Sequence, residues 1–253
     1  MRCLLLLLAC ASVVPQSAFA EAAELTQLRK AASAGDREAM FELADALDEG
    51  YYGKPNDQQA LHWYLKAARK GHVIAAAHAG YMYDEGEGVK IDDRHARYWY
   101  KISADKGSVY GQYALALMYR NGEGGEVDNA LAAKYYRLAA AQGDPKAINN
   151  LATFYDLGVA GPEDNKQARK LYYRAAKLGN ATSMYNLGVM YRDADGVQQN
   201  AEKQYFWFSL ATKRGDVDAP GELVRVAEPL SKASRTKLDR AVKKFSDQHF
   251  VEE

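Results

Sequence analysis

The chain has 253 residues, and its 33 lysines and arginines are matched by 33 aspartates and glutamates, for a formal charge of zero at neutral pH. That balance offers no attraction to nucleic acid or to an anionic membrane surface. A 48% hydrophobic content excludes an intrinsically disordered chain, and 18 tyrosines are an unusual number whose positions turn out to repeat.

Residues 1–20 read as an export signal and not as part of the fold. Arg2 supplies a positive start, Leu4 to Val14 an apolar stretch too short to cross a bilayer as a mature helix, and Pro15 breaks it. Ala18-Phe19-Ala20 puts small residues where a signal peptidase reads them, so cleavage after Ala20 and a periplasmic or secreted product are expected. Leu7-Leu8-Ala9-Cys10 resembles a lipobox, and lipidation of Cys10 is the rival reading. Cys3 and Cys10 are the only cysteines, so the expected mature chain relies on its core without disulfides and has no thiol for catalysis or metal binding. After Glu24 no apolar run approaches the length of a membrane span, and no integral membrane segment is expected in the mature chain.

Residues 21–35 are expected to form an N-terminal capping helix that ends at Gly35. That glycine is the first of six spaced 36 residues apart, with Gly71, Gly107, Gly143, Gly179 and Gly215. A fixed period in this range signals a stack of one supersecondary unit. Residues 36–215 therefore hold five units. In each, the first helix carries a small residue (Ala39, Ala75, Gly111, Ala147, Ser183), then Leu43, Ala79, Leu115, Leu151 or Leu187, then Ala44, Gly80, Ala116, Ala152 or Gly188, and last Leu47, Tyr83, Tyr119, Tyr155 or Tyr191. These lie on one helical stripe. Glycine costs about 1 kcal/mol in a helix interior, which Gly80 and Gly188 are expected to offset by close helix approach.

A glycine-rich turn follows: Gly86-Glu87-Gly88-Val89, Gly122-Glu123-Gly124-Gly125 and the divergent Gly158-Val159-Ala160-Gly161-Pro162. Its repetition and the lack of a preceding strand argue against a phosphate-binding loop. Asp57, Asp93, Asn129 and Asn165 are the expected N-caps of the second helices. Those helices carry Ala60, Ala96, Ala132, Ala168 and the exception Gln204, then the pairs Trp63-Tyr64, Trp99-Tyr100, Tyr135-Tyr136, Leu171-Tyr172 and Trp207-Phe208. Small pairs follow at Ala67-Ala68, Ser103-Ala104, Ala139-Ala140, Ala175-Ala176 and Ala211-Thr212, and the period glycine ends the helix as its C′ residue. Residues 216–253 comprise a sixth half-unit, begun by Ala219 and Leu223, and a C-terminal capping helix. Leu238, Ala241, Val242 and Phe245 give that helix its apolar stripe, and Pro229 with Ser231 or Ser234 opens it.

Ala75, Ala79-Gly80, Tyr83, Gly86-Glu87-Gly88-Val89, Asp93, Ala96, Trp99-Tyr100, Ser103-Ala104 and Gly107 resemble the pattern of Sel1-like repeats, relatives of the tetratricopeptide family. The resemblance covers five units from Asp36 to Gly215. It implies an all-α solenoid of helix-turn-helix pairs, wound as a right-handed superhelix with a concave groove, whose first helices line the groove. Three columns then face a partner. One reads Phe41, Ala77, Tyr113, Asn149, Tyr185; the next Asp45, Tyr81, Leu117, Thr153, Val189; the third Asp48, Asp84, Arg120, Asp156, Arg192. They vary between units while the buried columns do not. The expected partner-binding residues are Phe41, Asp45, Asp48, Tyr81, Asp84, Tyr113, Arg120, Asn149, Asp156, Tyr185 and Arg192, with acidic residues toward the front and arginines further back.

Chemistry is hard to find in the sequence. His62, His72, His78, His95 and His249 show no i, i+4 pairing for a zinc site, and a solvated imidazole is the reading for His62 and His95. Asp84, Glu85 and Glu87 flank a solvated turn, and no serine sits on a strand-to-helix elbow. No catalytic residue, metal site or cofactor is expected. The leading expectation is an exported, monomeric, non-catalytic scaffold that binds a protein or peptide. The alternative is an envelope hydrolase or a receptor for peptidoglycan or β-lactam. A β-lactam-handling branch of the family carries cysteine pairs within its repeats, which residues 21–253 lack.

Overall fold

A computed structural model provides the structure of residues 16–250, with side chains described from residue 23 onward. Most of the expected signal, residues 1–15 with Cys3 and Cys10, lies outside the described residues. The described residues form thirteen α-helices and no strand. The chain divides into two compact units, one ending at Asp92 and the other starting at Asp93.

The first unit holds α1 (Gln16–Ala34), α2 (Arg37–Asp48), α3 (Asp57–Arg69) and α4 (Val73–Glu85), each packed on the next. The expected cleavage point after Ala20 falls within α1. The second unit holds α5 (Asp93–Asp105), α6 (Val109–Asn121), α7 (Asn129–Ala141), α8 (Pro145–Asp156), α9 (Asn165–Lys177), α10 (Ala181–Asp193), α11 (Ala201–Lys213), α12 (Ala219–Ala227) and α13 (Lys232–His249). Each helix from α5 to α11 packs on its successor, and α13 returns to cover α11.

The junction between units of the repeat is built by two adjacent residues. Gly71 adopts φ +88°, and its N–H reaches the Ala68 carbonyl at 2.8 Å while the next N–H, that of His72, reaches Ala67 at 3.0 Å. This is a Schellman ending, which only a residue comfortable in the left-handed region permits. The His72 side chain then caps α4, its Nδ1 accepting from Ala75 N–H at 3.0 Å. Asp36, Ser108, Asp144 and Asn180 do the same for α2, α6, α8 and α10. One residue thus closes a helix with its backbone and opens the next with its side chain. The sequence reading missed this column because its chemistry changes at every copy.

The caps of the second helices require a correction. They are Asn56, Asp128, Asp164 and Asn200, each accepting from the amide three residues on. Asp57, Asn129 and Asn165 are already the first helical residues. A cap must stand outside the helix to reach the third amide, so the column lies one residue earlier than expected.

The repeating columns are the core. Tyr64, Tyr100, Tyr136, Tyr172 and Phe208 are all fully buried, as are the alanine positions Ala60, Ala96, Ala132 and Ala168. Leu43, Leu115, Leu151 and Leu187 face them from the first helices. A further buried column, Ala46, Met82, Met118, Phe154 and Met190, was not read from the sequence. Gly188 abuts Phe208, since a Cβ there would stand 2.5 Å from the ring. Ala194 takes φ 62° where Gly86 and Gly122 stand in earlier copies, at a cost of about 1 kcal/mol. In α13 the stripe is Val242 and Phe245, both buried, with Leu238 half-buried, whereas Ala241 is exposed. Ser231 caps that helix.

Candidate functional site

The first helices α2 and α4 in one unit, and α6, α8 and α10 in the other, carry the residues expected to meet a partner. In the second unit, Tyr113 and Tyr185 are half-buried, each resting on the buried ring of its own hairpin: Tyr113 on Tyr136 at 6.2 Å, Tyr185 on Phe208 at 5.6 Å. Ring packing takes the inner face and leaves the outer edge accessible. Burial raises the Tyr113 phenol above its ordinary value, with Asp144 adding to the shift and Asn150 opposing it.

Asn149 departs from the expectation of a lining residue. It is 8% exposed, and its Oδ1 accepts from Ser183 Oγ at 2.8 Å and from Asn186 Nδ2 at 3.5 Å. Its Nδ2 donates to Asn150 Oδ1 at 3.4 Å. A buried amide must find such partners, so Asn149 acts as the inner anchor of a polar patch. Its outer members, the half-exposed Asn150 and Asn186, were not singled out from the sequence. Their signal was the run Glu42, His78, Ala114, Asn150, Asn186, which is polar at four of five copies.

The third column is partly structural. Tyr172 Oη donates to Asp156 Oδ2 at 3.2 Å, and Tyr64 Oη to Asp48 Oδ2 at 3.3 Å. Both carboxyls are half-buried and held above their ordinary values. Burial is the main cause for each; Glu87 reinforces it at Asp48 and Asp195 at Asp156, while the tyrosine hydrogen bonds oppose it. Arg120 is exposed, with its Nε donating to Asn121 at 3.1 Å. Arg192 pairs with Asp193 at 2.8 Å and Glu222 at 3.3 Å, which holds its pKa above the ordinary value.

In the first unit, Phe41 is sandwiched among rings, stacked on His72 at 4.4 Å and tilted against Tyr64 at 5.9 Å. Tyr81 is 36% exposed and its hydroxyl donates to Glu87 at 3.3 Å. Asp45 and Asp84 are half-buried. His62 and His95 are exposed, whereas His72 is buried and His78 half-buried. His72 Nδ1 is committed as a cap, so its proton sits on Nε2, which donates to Glu38 at 2.9 Å. His78 stacks on Tyr64 at 4.8 Å, and burial holds its pKa below the ordinary value against the pull of Asp45. Among the described residues, no three His, Cys, Asp or Glu side chains come together as a metal-binding group. No helix among them is long and apolar enough to cross a membrane.

Helical hairpins with buried columns at a constant period and variable residues on the first-helix faces define an all-α repeat protein of the solenoid class. The profile of the Sel1 repeat matches residues 37–72, 73–108, 109–144, 145–180 and 181–216, and the chain belongs to that family. Among solved structures, it is similar to a protective antigen of uropathogenic Escherichia coli that displays an SLR fold, with TM-score 0.80 and 29% identity over 88% of this chain. That match covers 49% of the antigen, so this chain spans about half of its length. A Sel1 repeat protein from Oxalobacter formigenes shares the fold with TM-score 0.78 and 24% identity, covering 92% of this chain and 96% of its own. No curated protein matches the chain.

Proposed function

We propose that this Sel1 repeat protein is an exported, non-catalytic scaffold that binds a protein or peptide partner through the outward faces of its first helices. The observation that carries the reading is the contrast between columns. The second-helix ring column is fully buried in every copy, whereas the first-helix face changes from copy to copy and keeps half-exposed tyrosines, amides and charges. Tyrosine and arginine are favoured interface anchors. Side-chain amides both donate and accept, as a peptide backbone does. In the second unit the partner contacts are Tyr113, Arg120, Asp156, Tyr185 and Arg192, with Asn150 and Asn186 between them and Asn149 behind. In the first unit they are Phe41, Asp45, Asp48, Tyr81 and Asp84. Export rests on the pattern of residues 1–20, and the likeness to a protective antigen is in keeping with it.

The test is capture from envelope extract by the tagged chain, with partners identified by mass spectrometry. Tyr113→Leu, Tyr185→Leu and Asn186→Ala together keep apolar burial but remove the ring edges and one amide. Recovery of the partner should fall by about tenfold or more while the melting temperature stays within a few degrees. Undiminished capture by the triple variant would refute the first-helix assignment.

A further inference from the structure

One gap in the fold recurs in successive repeats of the second unit, between a second helix, the following first helix and the turn beyond it. At its first occurrence the gap is closed from within. The Arg97 guanidinium of α5 lies 4.0 Å from the centre of the Tyr119 ring on α6. Its Nη1 donates to the Glu123 carbonyl at 3.4 Å and its Nη2 to the Glu126 carbonyl at 3.5 Å. Gly125 makes room for it, because a Cβ at that position would collide with Nη1. A planar cation on a ring face, with its donors aimed at turn carbonyls, is a complete arginine site.

Thirty-six residues on, the ring and one turn glycine persist, the turn follows a different backbone course with Gly161 at φ +158°, and the arginine is missing. Arg97 becomes Ala133, Tyr119 becomes Tyr155, and Gly125 becomes Gly161, whose would-be Cβ has nothing within 4 Å. A cavity of about 250 Å³ opens between Ala133, Leu151, Phe154, Tyr155, Gly161 and Pro162. That is the scale of one side chain, below the roughly 300–1,000 Å³ of small-molecule sites. Among the described residues no cation lies over the Tyr155 ring. The rim carries Asp164 and Arg137. Arg137 stands where Lys101 stands beside Arg97, but the Asp105 that pairs with Lys101 is replaced here by Ala141, so Asp164 is the rim's acidic residue.

We propose that the cleft at Tyr155 is a docking site for an arginine side chain presented by a partner polypeptide, the guanidinium stacking on Tyr155 beside the turn that follows α8 and the Asp164 carboxylate on the rim. The occupant's chemistry is read from the filled copy in the same chain. The site is built from α7, α8 and the turn after α8, and it stands independently of the first-helix reading.

Two capped tripeptides, Gly-Arg-Gly and Gly-Lys-Gly, titrated into the full chain to millimolar concentration, test it by NMR of the Tyr155 ring protons. The arginine peptide should shift them saturably and the lysine peptide should bind at least about fivefold more weakly, since the ammonium lacks the planar fork. Ala133→Arg should fill the cleft from within and abolish the shift. Should that variant not fold, Tyr155→Leu replaces it, read on the Phe154 ring, and should weaken binding about fivefold or more by removing the stacking face. No saturable shift, equal binding of the lysine peptide, persistence of the shift in Ala133→Arg, or undiminished binding in Tyr155→Leu would each overturn the proposal.

Discussion

Asp48 and Asp156 occupy the same turn of their first helices and meet the buried tyrosine of their own hairpins. Half-burial makes both carboxyls reluctant to ionise, and neighbouring acids make it worse. Their folded-state pKa values therefore lie above the ordinary 3.8, so the folded chain holds these protons more tightly than the unfolded chain. Their contribution to stability is present below the unfolded value and is lost as pH rises through the raised folded value. At neutral pH both carboxylates oppose folding. Asp48→Asn and Asp156→Asn should then stabilise the protein at pH 7, because the amide oxygen still accepts from tyrosine and carries no charge. The advantage should shrink as pH falls toward 4, where the carboxyls gain their protons in the wild type as well. Urea denaturation at both pH values measures it; an advantage that grows on acidification would contradict the assignment. Residues kept at a cost to stability on a face read as partner-binding fit a functional demand for their charge.

At the scale of the helix, small buried residues recur eight apart where one repeat gives way to the next. Ala67 and Ala75 form one such pair in the first unit, and Ala139 and Ala147 another in the second. At Ser103 and Gly111 both members change: a Cβ on Gly111 would stand 2.8 Å from Ser103 Cβ and 2.9 Å from the Ala104 amide nitrogen. The extra hydroxyl on one helix is accommodated by the missing methyl on the other. Gly111→Ala alone should cost about 1–2 kcal/mol, overpacking outweighing the gain in helix propensity. Adding Ser103→Ala removes the Ser103 Oγ, which would also stand 2.8 Å from that Cβ, but leaves the Ser103 Cβ and the Ala104 nitrogen in place, so it should recover only part of the cost, a coupling of about 0.5 kcal/mol visible in a double-mutant cycle. Strictly additive effects would show that the two sites do not share a contact. The same pairs explain what the sequence disclosed. Glycine, alanine and ring columns are legible because burial forces the same solution at every copy, whereas His72 as a cap, Asn149 as a buried anchor and the gap opened by Ala133 are single-copy departures. Each depends on which neighbour it meets in space, and a periodic alignment averages that away.

For the whole molecule, a repeat chain is stabilised by contacts between successive hairpins, so the far side of the last hairpin needs its own cover. In the second unit α12 and α13 supply it for α11. Phe245 of α13 sits edge-on to Phe206 at 5.7 Å and to Trp207 at 5.6 Å, and Tyr205 Oη donates to Asp239 at 2.9 Å. Val226 and Leu223 of α12 join Tyr205 and Phe208 in one apolar cluster, with Leu230 and Leu238 against it. Phe245→Ala should cost about 3 kcal/mol, the lower end for a buried ring, because Phe245 lies near the end of its helix. Ending the chain at Leu230 is the stronger test, since it uncovers Phe206 and Trp207 together. An uncovered apolar face of that kind is a binding surface for its own copies. Light scattering should then report a mass that rises with concentration, with helical circular dichroism lost only in proportion to α13, while the full chain stays monomeric. A truncated chain that remains monomeric and melts with the wild type would show that α13 is dispensable to the stack, and would free its lysine- and arginine-rich outer face for a partner of its own.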